Sequence, residues 1–190
     1  MLPENFRLEI IRSRRKTLAI TVREEGVILA KAPLKYPTAE IWRFVETKRD
    51  WIEKQFQRLE GMKDSAQLQG SLSEQEIRAL AAMAKKVLPE RVAHYAKILG
   101  VTYGRITIRN QRSLWGSCSA SGNLNFNCLL MLAPSEVADY VVVHELCHRL
   151  EMNHSQRFWA HVRKVLPDYA RQRKWLREEG AVLMKRMTGV

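Results

Sequence analysis

The chain has 190 residues, 46% hydrophobic and 27% charged, with a formal net charge of +12. That length allows one ample core, or a small unit docked on a larger one, and the balance is that of a soluble globular protein. No apolar run approaches the ~20 residues of a membrane span, so no membrane partner is expected. The positive excess suits an acidic partner such as nucleic acid or a nucleotide, and equally a plain solvated basic surface.

The N-terminal third predicts strands followed by a helix. Phe6 to Ile11, Thr17 to Val22 and Gly26 to Ala32 are rich in β-branched residues, with Ser13-Arg14-Arg15-Lys16 and Glu24-Glu25-Gly26 as turns between them. Leu18, Ile20 and Val22 alternate as in a half-buried strand. Thr38 is placed to cap a helix through about Leu59, with Ile41, Phe44, Val45, Trp51, Ile52, Phe56 and Leu59 as its apolar stripe. Glu60 to Leu72 is polar, contains Gly61 and Gly70, and predicts a connector.

Ser73-Glu74-Gln75-Glu76 is a capping box that opens a second long helix. Pro89 is expected to kink or divide it and Gly100 to close it. Arg105 to Asn110 alternates as a strand. A loop with Trp115-Gly116-Ser117-Cys118 follows, then a turn at Ser121-Gly122 and a further strand from Leu124 to Leu132. These segments predict an α+β fold: an N-terminal β-hairpin and helix unit over 1–60, a connector over 61–72, and a domain over 73–190 able to form one compact unit with the first.

The next helix carries the chemistry. Ser135 and Glu136 signal its start, and Val137 to Val143 is apolar nearly all round, so the helix is expected to be buried. It then reads His144-Glu145-Leu146-Cys147-His148, with His154 six residues on. Histidines four apart share a helix face, so both can reach one metal ion, and the glutamate between them is placed to act on a metal-activated water. In an unbroken helix His154 would lie ~15 Å along the axis from His144. Glu151-Met152-Asn153 must therefore end the helix and fold back, with Asn153 suited to a left-handed stop and Ser155 capping a helix to Leu166. Glu151, on the same helix face as His144, is a rival third ligand, or a hydrogen-bond partner of a ligand imidazole. His94 and His161 lack ligand spacing. The final stretch, Pro167 to Met187, predicts a basic helix interrupted near Gly180.

Tyr140-Val141-Val142-Val143-His144-Glu145-Leu146-Cys147-His148 and Asn153-His154-Ser155-Gln156-Arg157-Phe158-Trp159 resemble the YgjP-like zinc metallopeptidases, relatives of the SprT-like group. Trp115-Gly116-Ser117-Cys118-Ser119 resembles that family's tryptophan-glycine-serine-cysteine loop. Asp50-Trp51-Ile52, Pro167-Asp168-Tyr169 and Trp175-Leu176 extend the likeness over nearly the whole chain. Two departures stand out. Leu114 occupies the place of a basic residue before the loop, and SprT-like proteases separate their second and third histidines by a longer stretch. The spacing equals that of metzincins, but Glu151 replaces their helix-ending glycine, and Met184 is only a weak candidate for their methionine turn. The resemblance implies a zincin-like fold, with a mixed sheet packed on the active-site helix, and a peptidase activity.

On this basis His144, His148 and His154 are expected to bind Zn²⁺ and leave a fourth position open, with Glu145 as general base. The strand Leu124 to Leu132 could offer an edge to an extended peptide, oriented by Asn125 and Asn127. Two other functions compete: a zinc hydrolase of a phosphoanhydride such as a nucleoside triphosphate, and a nucleic-acid-associated protein with structural zinc. The missing G-x-x-x-x-G-K-[ST] loop weighs against the first, and the intact Glu145 against the second. Cys118, Cys128 and Cys147 are odd in number and form no C-x-x-C pair. With no visible secretory signal at the start, they predict reduced thiols in a cytoplasm.

Overall fold

The computed structural model describes residues 6–23 and 26–187. The chain divides into two compact units, residues 1–65 and 66–190. Among the described residues no helix is long and apolar enough to cross a membrane.

The first unit holds a three-stranded sheet of β1 (Arg7–Ser13), β2 (Ala19–Val22) and β3 (Val27–Pro33) in the order β1-β3-β2. Only β2 and β3 form an antiparallel hairpin; β1 runs parallel to β3. The turn expected at Ser13-Arg14-Arg15-Lys16 therefore does not close a hairpin between β1 and β2, and of the turn Glu24-Glu25-Gly26 only Gly26, at φ 73°, is among the described residues. β3 is central because its side chains are apolar toward both faces: Ile28, Leu29, Ala30 and Ala32 are all buried.

Helix α1 (Thr38–Thr47) follows, and α2 (Arg49–Gln69) begins after a break at Lys48. Thr38 does not cap α1. Pro37 occupies that position without a side-chain bond, and Thr38 Oγ1 instead accepts from the Arg12 guanidinium at 2.9 Å. Ile41, Val45, Ile52 and Phe56 form the buried stripe, whereas Trp51 stays 43% exposed. α2 also extends through most of the expected connector, since Gly61 is one isolated helix-weakening residue in a polar but helix-compatible run.

The second unit opens with α3 (Glu74–Leu99). Its capping box forms in both directions between Ser73 and Glu76, and Gly100 ends it in the left-handed conformation at φ 67°. Pro89 does not divide it. Ala84, Leu88, Val92 and Ala96 bury one continuous stripe, each four residues from the next, and that packing outweighs a proline penalty of ~3 kcal/mol.

The second sheet is β4 (Ile106–Arg109), β5 (Gly116–Cys118) and β6 (Leu124–Asn127), in the order β4-β6-β5. β4 is parallel and β5 antiparallel to β6. The tryptophan-glycine-serine-cysteine segment is therefore largely a strand rather than a loop. The strand expected over Leu124 to Leu132 stops at Asn127, where the side-chain oxygen accepts the Leu129 N–H at 3.1 Å and turns the chain into a 3-10 helix, Cys128–Leu132. β6 is the central strand, so it has no edge to offer a peptide. Asn127 is fully buried, and its amide donates to Gln111 O and Leu114 O at 2.7 and 3.0 Å. Asn125 is held between Arg109 Nε and Ser117 Oγ. Both asparagines serve the sheet.

Helix α4 (Ser135–Cys147) is buried over most of its length, through Val137, Ala138, Tyr140–Val143, Leu146 and Cys147. Its N-cap is Pro134; the Ser135 hydroxyl bonds Glu136 instead, at 3.2 Å. α5 (Gln156–Val165) is capped by Ser155, whose oxygen accepts from Phe158 N. α6 (Tyr169–Arg186) runs unbroken through Gly180. That glycine is buried beneath Trp115, and a Cβ there would lie 2.9 Å from the indole. Met184 sits within α6, its sulfur 3.7 Å from the Asn127 amide, so it forms no turn.

Candidate metal centre

Helix α4 ends at Cys147, a turn earlier than Glu151-Met152-Asn153 predicts, and His148 is its C-cap. Leu150 N and Glu151 N both return to Cys147 O, so the chain curls back directly after the second histidine. Asn153 Oδ1 accepts Ser155 N at 3.1 Å and shapes the entry to α5. This turn brings His154 against the end of α4.

The three imidazoles converge. One ligand nitrogen from each of His144, His148 and His154 lies within 4.8 Å of the others, and His144 Nε2 and His154 Nε2 are 2.9 Å apart. Imidazole nitrogens around a tetrahedral zinc ion, at ~2.0–2.1 Å from it, are separated by roughly 3.3 Å. The cluster therefore has the size of one such coordination sphere. The second ring nitrogen of His148 also fits. His148 Nδ1 faces Glu151 O at 3.1 Å, which orients the ring and frees its Nε2 for a ligand role. Glu151 thus contributes through its backbone carbonyl, while its carboxylate reaches Arg157 at 3.7 Å and stands outside the cluster. His144 Nδ1 is buried and, among the described residues, has no hydrogen-bond partner. Burial, reinforced by the neighbouring His148, His154 and Arg173, pushes His144 down to about 3. The ring is held in the neutral form that ligation requires.

Beneath the cluster lies a residue that histidine spacing does not reveal. Phe158 is fully buried, and its ring centroid is 4.8, 4.7 and 4.8 Å from those of His144, His148 and His154. It is a common floor for all three rings, delivered by the first turn of α5. Its only sequence signal is its place four residues after His154, at the start of an apolar stripe continued by Val162. Trp159 stacks on Tyr169 at 5.3 Å, and the Arg173 guanidinium lies 4.7 Å from the Trp159 ring centroid. These rings join the histidines to α6.

Glu145 is 6% exposed. Burial pushes its carboxyl up to about 8, which is the cost of holding a charge away from water without a neighbouring cation. Its position depends on β5. A Cβ at Gly116 would fall 2.8 Å from both Cγ and Oε1 of Glu145, so the absent side chain is the space the carboxylate occupies. Cys118, on the same face of β5, is raised by burial and then by the Glu145 charge. Cys118, Cys128 and Cys147 are all free thiols. Arg149, next to His148, ties the end of α4 to the segments flanking the sheet by donating to Thr102 O and Ala120 O at 3.0 Å each.

β5 is an edge strand; among the described residues it pairs only with β6. Asn127 N donates to Trp115 O and Ser119 N to Asn123 O, so alternation turns the N–H and C=O of Gly116 and Cys118 to the outer side. An open backbone edge thus runs past the Glu145 carboxylate.

A buried helix presenting two imidazoles and a carboxylate, with a third imidazole returned by a turn, defines the class of metal-dependent hydrolases. The chain belongs to the YgjP-like metallopeptidase-domain family, whose model matches residues 16–80 and 69–179. Among solved structures it is similar to the metallopeptidase zymogen abylysin of Pyrococcus abyssi, with 23% identity over 49% of this chain and 96% of that one, at a TM-score of 0.44. It is also similar to the zymogen jannalysin of Methanocaldococcus jannaschii, with 19% identity over 50% and 97% of the two chains, at a TM-score of 0.44. A search of curated proteins found no match.

Proposed function

We propose that the chain is a zinc-dependent peptidase in which His144, His148 and His154 hold the ion and Glu145 is the general base. The observation that carries this reading is the convergence of three imidazoles beside a buried carboxylate at an open strand edge. A bound zinc ion supplies Lewis acidity, activating a water and polarising the scissile carbonyl.

The chain's own groups do the rest. Phe158 and the Glu151 carbonyl orient the imidazoles. Glu145 takes the proton of the attacking water at a carboxylate oxygen and hands it to the departing amine. The outward N–H and C=O groups of Gly116 and Cys118 pair with an extended substrate as an added strand, presenting its backbone to Glu145. This role belongs to β5, in place of the edge expected on β6.

The test compares zinc-loaded wild-type and Glu145→Gln proteins on an unfolded polypeptide, with and without chelator. The wild type is expected to cleave, the chelator to stop it, and the variant to bind zinc equally while cleaving ~10²-fold more slowly or worse. Full activity of zinc-loaded Glu145→Gln would remove the general base. Turnover of nucleoside triphosphates but not polypeptides would make the site a phosphoanhydride hydrolase. Unchanged zinc affinity in His154→Ala would remove the third ligand.

A further inference from the structure

The second sheet has another edge, and it is not plain. Among the described residues β4 pairs only with β6. Leu124 N donates to Arg105 O, so in this parallel pair the backbone groups of Arg105, Thr107 and Arg109 face β6. Those of Ile106 and Ile108 therefore face outward. Along this edge runs a groove of about 610 Å³, lined by Ile106, Thr107 and Ile108, by Arg105 and Arg109, and by Lys85 and Pro89 of α3.

Three properties of the groove converge. First, its strand wall carries unpaired backbone donors and acceptors, a template for another strand. Second, Pro89 has no N–H, so the Lys85 carbonyl loses the donor four residues on and leaves a further acceptor on the helix wall. Third, the lining holds three cations and no acidic side chain; Glu90, the nearest in sequence, lines a different groove with Asp139. Arg109 also donates from Nε to Asn125 Oδ1 of the central strand at 3.0 Å, which holds its side chain over the sheet face. The metal centre makes no use of Arg105 or Arg109.

We propose that the outer edge of β4 is a docking groove for an acidic, extended protein segment, distinct from the β5 edge at the metal centre. The incoming strand would pair with Ile106 and Ile108, and its carboxylates would meet Lys85, Arg105 and Arg109. Polypeptide is favoured over nucleic acid because the unpaired edge groups have the spacing of a strand ladder. The same cations repel a second copy of β4, which shields the edge from self-association.

The experiment follows backbone amide signals of the full chain by NMR. The probes are an end-capped peptide of alternating glutamate and valine, its lysine counterpart, the glutamate peptide N-methylated at alternate backbone nitrogens, and oligothymidine. The glutamate peptide is expected to shift the amides of Ile106 and Ile108 and slow their hydrogen exchange, and the other three to leave them unchanged. Lys85→Glu with Arg105→Glu, both at exposed positions, should weaken that binding ~10-fold or more. Equal binding of the lysine or N-methylated peptide would overturn the proposal, and so would shifts confined to Gly116 and Cys118. Oligothymidine shifting the same amides would reassign the groove to nucleic acid. The N-methylated peptide leaves the protein untouched, so the result does not depend on any variant folding.

Discussion

The two three-stranded sheets follow one plan. In each, the first strand is parallel and the second antiparallel to a central third strand. In the first sheet the antiparallel edge carries Ile20 opposite Ala30, and the helices behind it contribute Ile41, Val45 and Ile52. In the second, the corresponding edge carries Gly116 opposite Phe126, and α4 contributes Glu145 along with Leu146 and Val142. The same topology thus yields a plain apolar core in one unit and a candidate metal centre in the other. One difference is the side chain withheld at Gly116, which leaves room for a buried carboxylate; another is the three imidazoles carried by α4 and the turn after it. Topology alone does not distinguish a scaffold from a site.

Substitutions can break this comparison. The largest effect is expected from Phe158→Ala, which removes a fully buried ring and should cost about 3–5 kcal/mol in denaturant unfolding. It should also loosen all three imidazoles and weaken zinc binding ~10–100-fold in a metal-competition assay. Ile28→Ala, the comparable loss in the first sheet, should cost about 2–5 kcal/mol with zinc affinity unchanged. A fall in zinc affinity there would show that the sheets are not energetically separate.

Next comes Gly116→Ala. Its added carbon collides with Glu145, so peptide cleavage should fall ~10²-fold, equivalent to ~2.7 kcal/mol in the barrier, while zinc stoichiometry holds. Unchanged turnover would mean that the Gly116 space is irrelevant to chemistry. Smaller again is Gly180→Ala, which presses a Cβ against Trp115 and should lower stability by about 1–3 kcal/mol in thermal unfolding. The smallest is Ser155→Ala. Loss of the α5 cap should cost ~1 kcal/mol and reach the site only through Phe158, the residue whose N–H it leaves unpaired. A large loss of zinc binding from this change alone would place more of the site's rigidity in the cap than in the aromatic floor.

Much of the site was legible in the sequence because its signals are local. His144 and His148 are separated by one helical turn, Ser73 meets Glu76 within the same turn, Ser155 caps the helix beside His154, and Gly100 stops α3 where its conformation allows. Each depends on residues three or four apart, a spacing the chain carries wherever it folds. Some failures were non-local, and others were side-chain bonds only one or two residues long. Pro89 was expected to kink or divide α3, and the helix is undivided, with a buried stripe running past it. Thr38 and Ser135 had capping chemistry but met Arg12 and Glu136. Asn127 ended a strand whose apolar run continued, because its side chain found the Leu129 N–H.

The sequence by itself determined the donors: two imidazoles on one helix face, a carboxylate between them, and a third imidazole close enough to return through a short turn. Tertiary structure alone decided what surrounds them. It put β6 in the centre and β5 at the edge, set Phe158 under three rings, gave Glu145 the space at Gly116, and left the groove beside β4 lined with cations. The physical reason is range. Helix periodicity and capping act within about four residues, whereas strand order, burial and the shape left by an absent Cβ depend on which distant segments pack together.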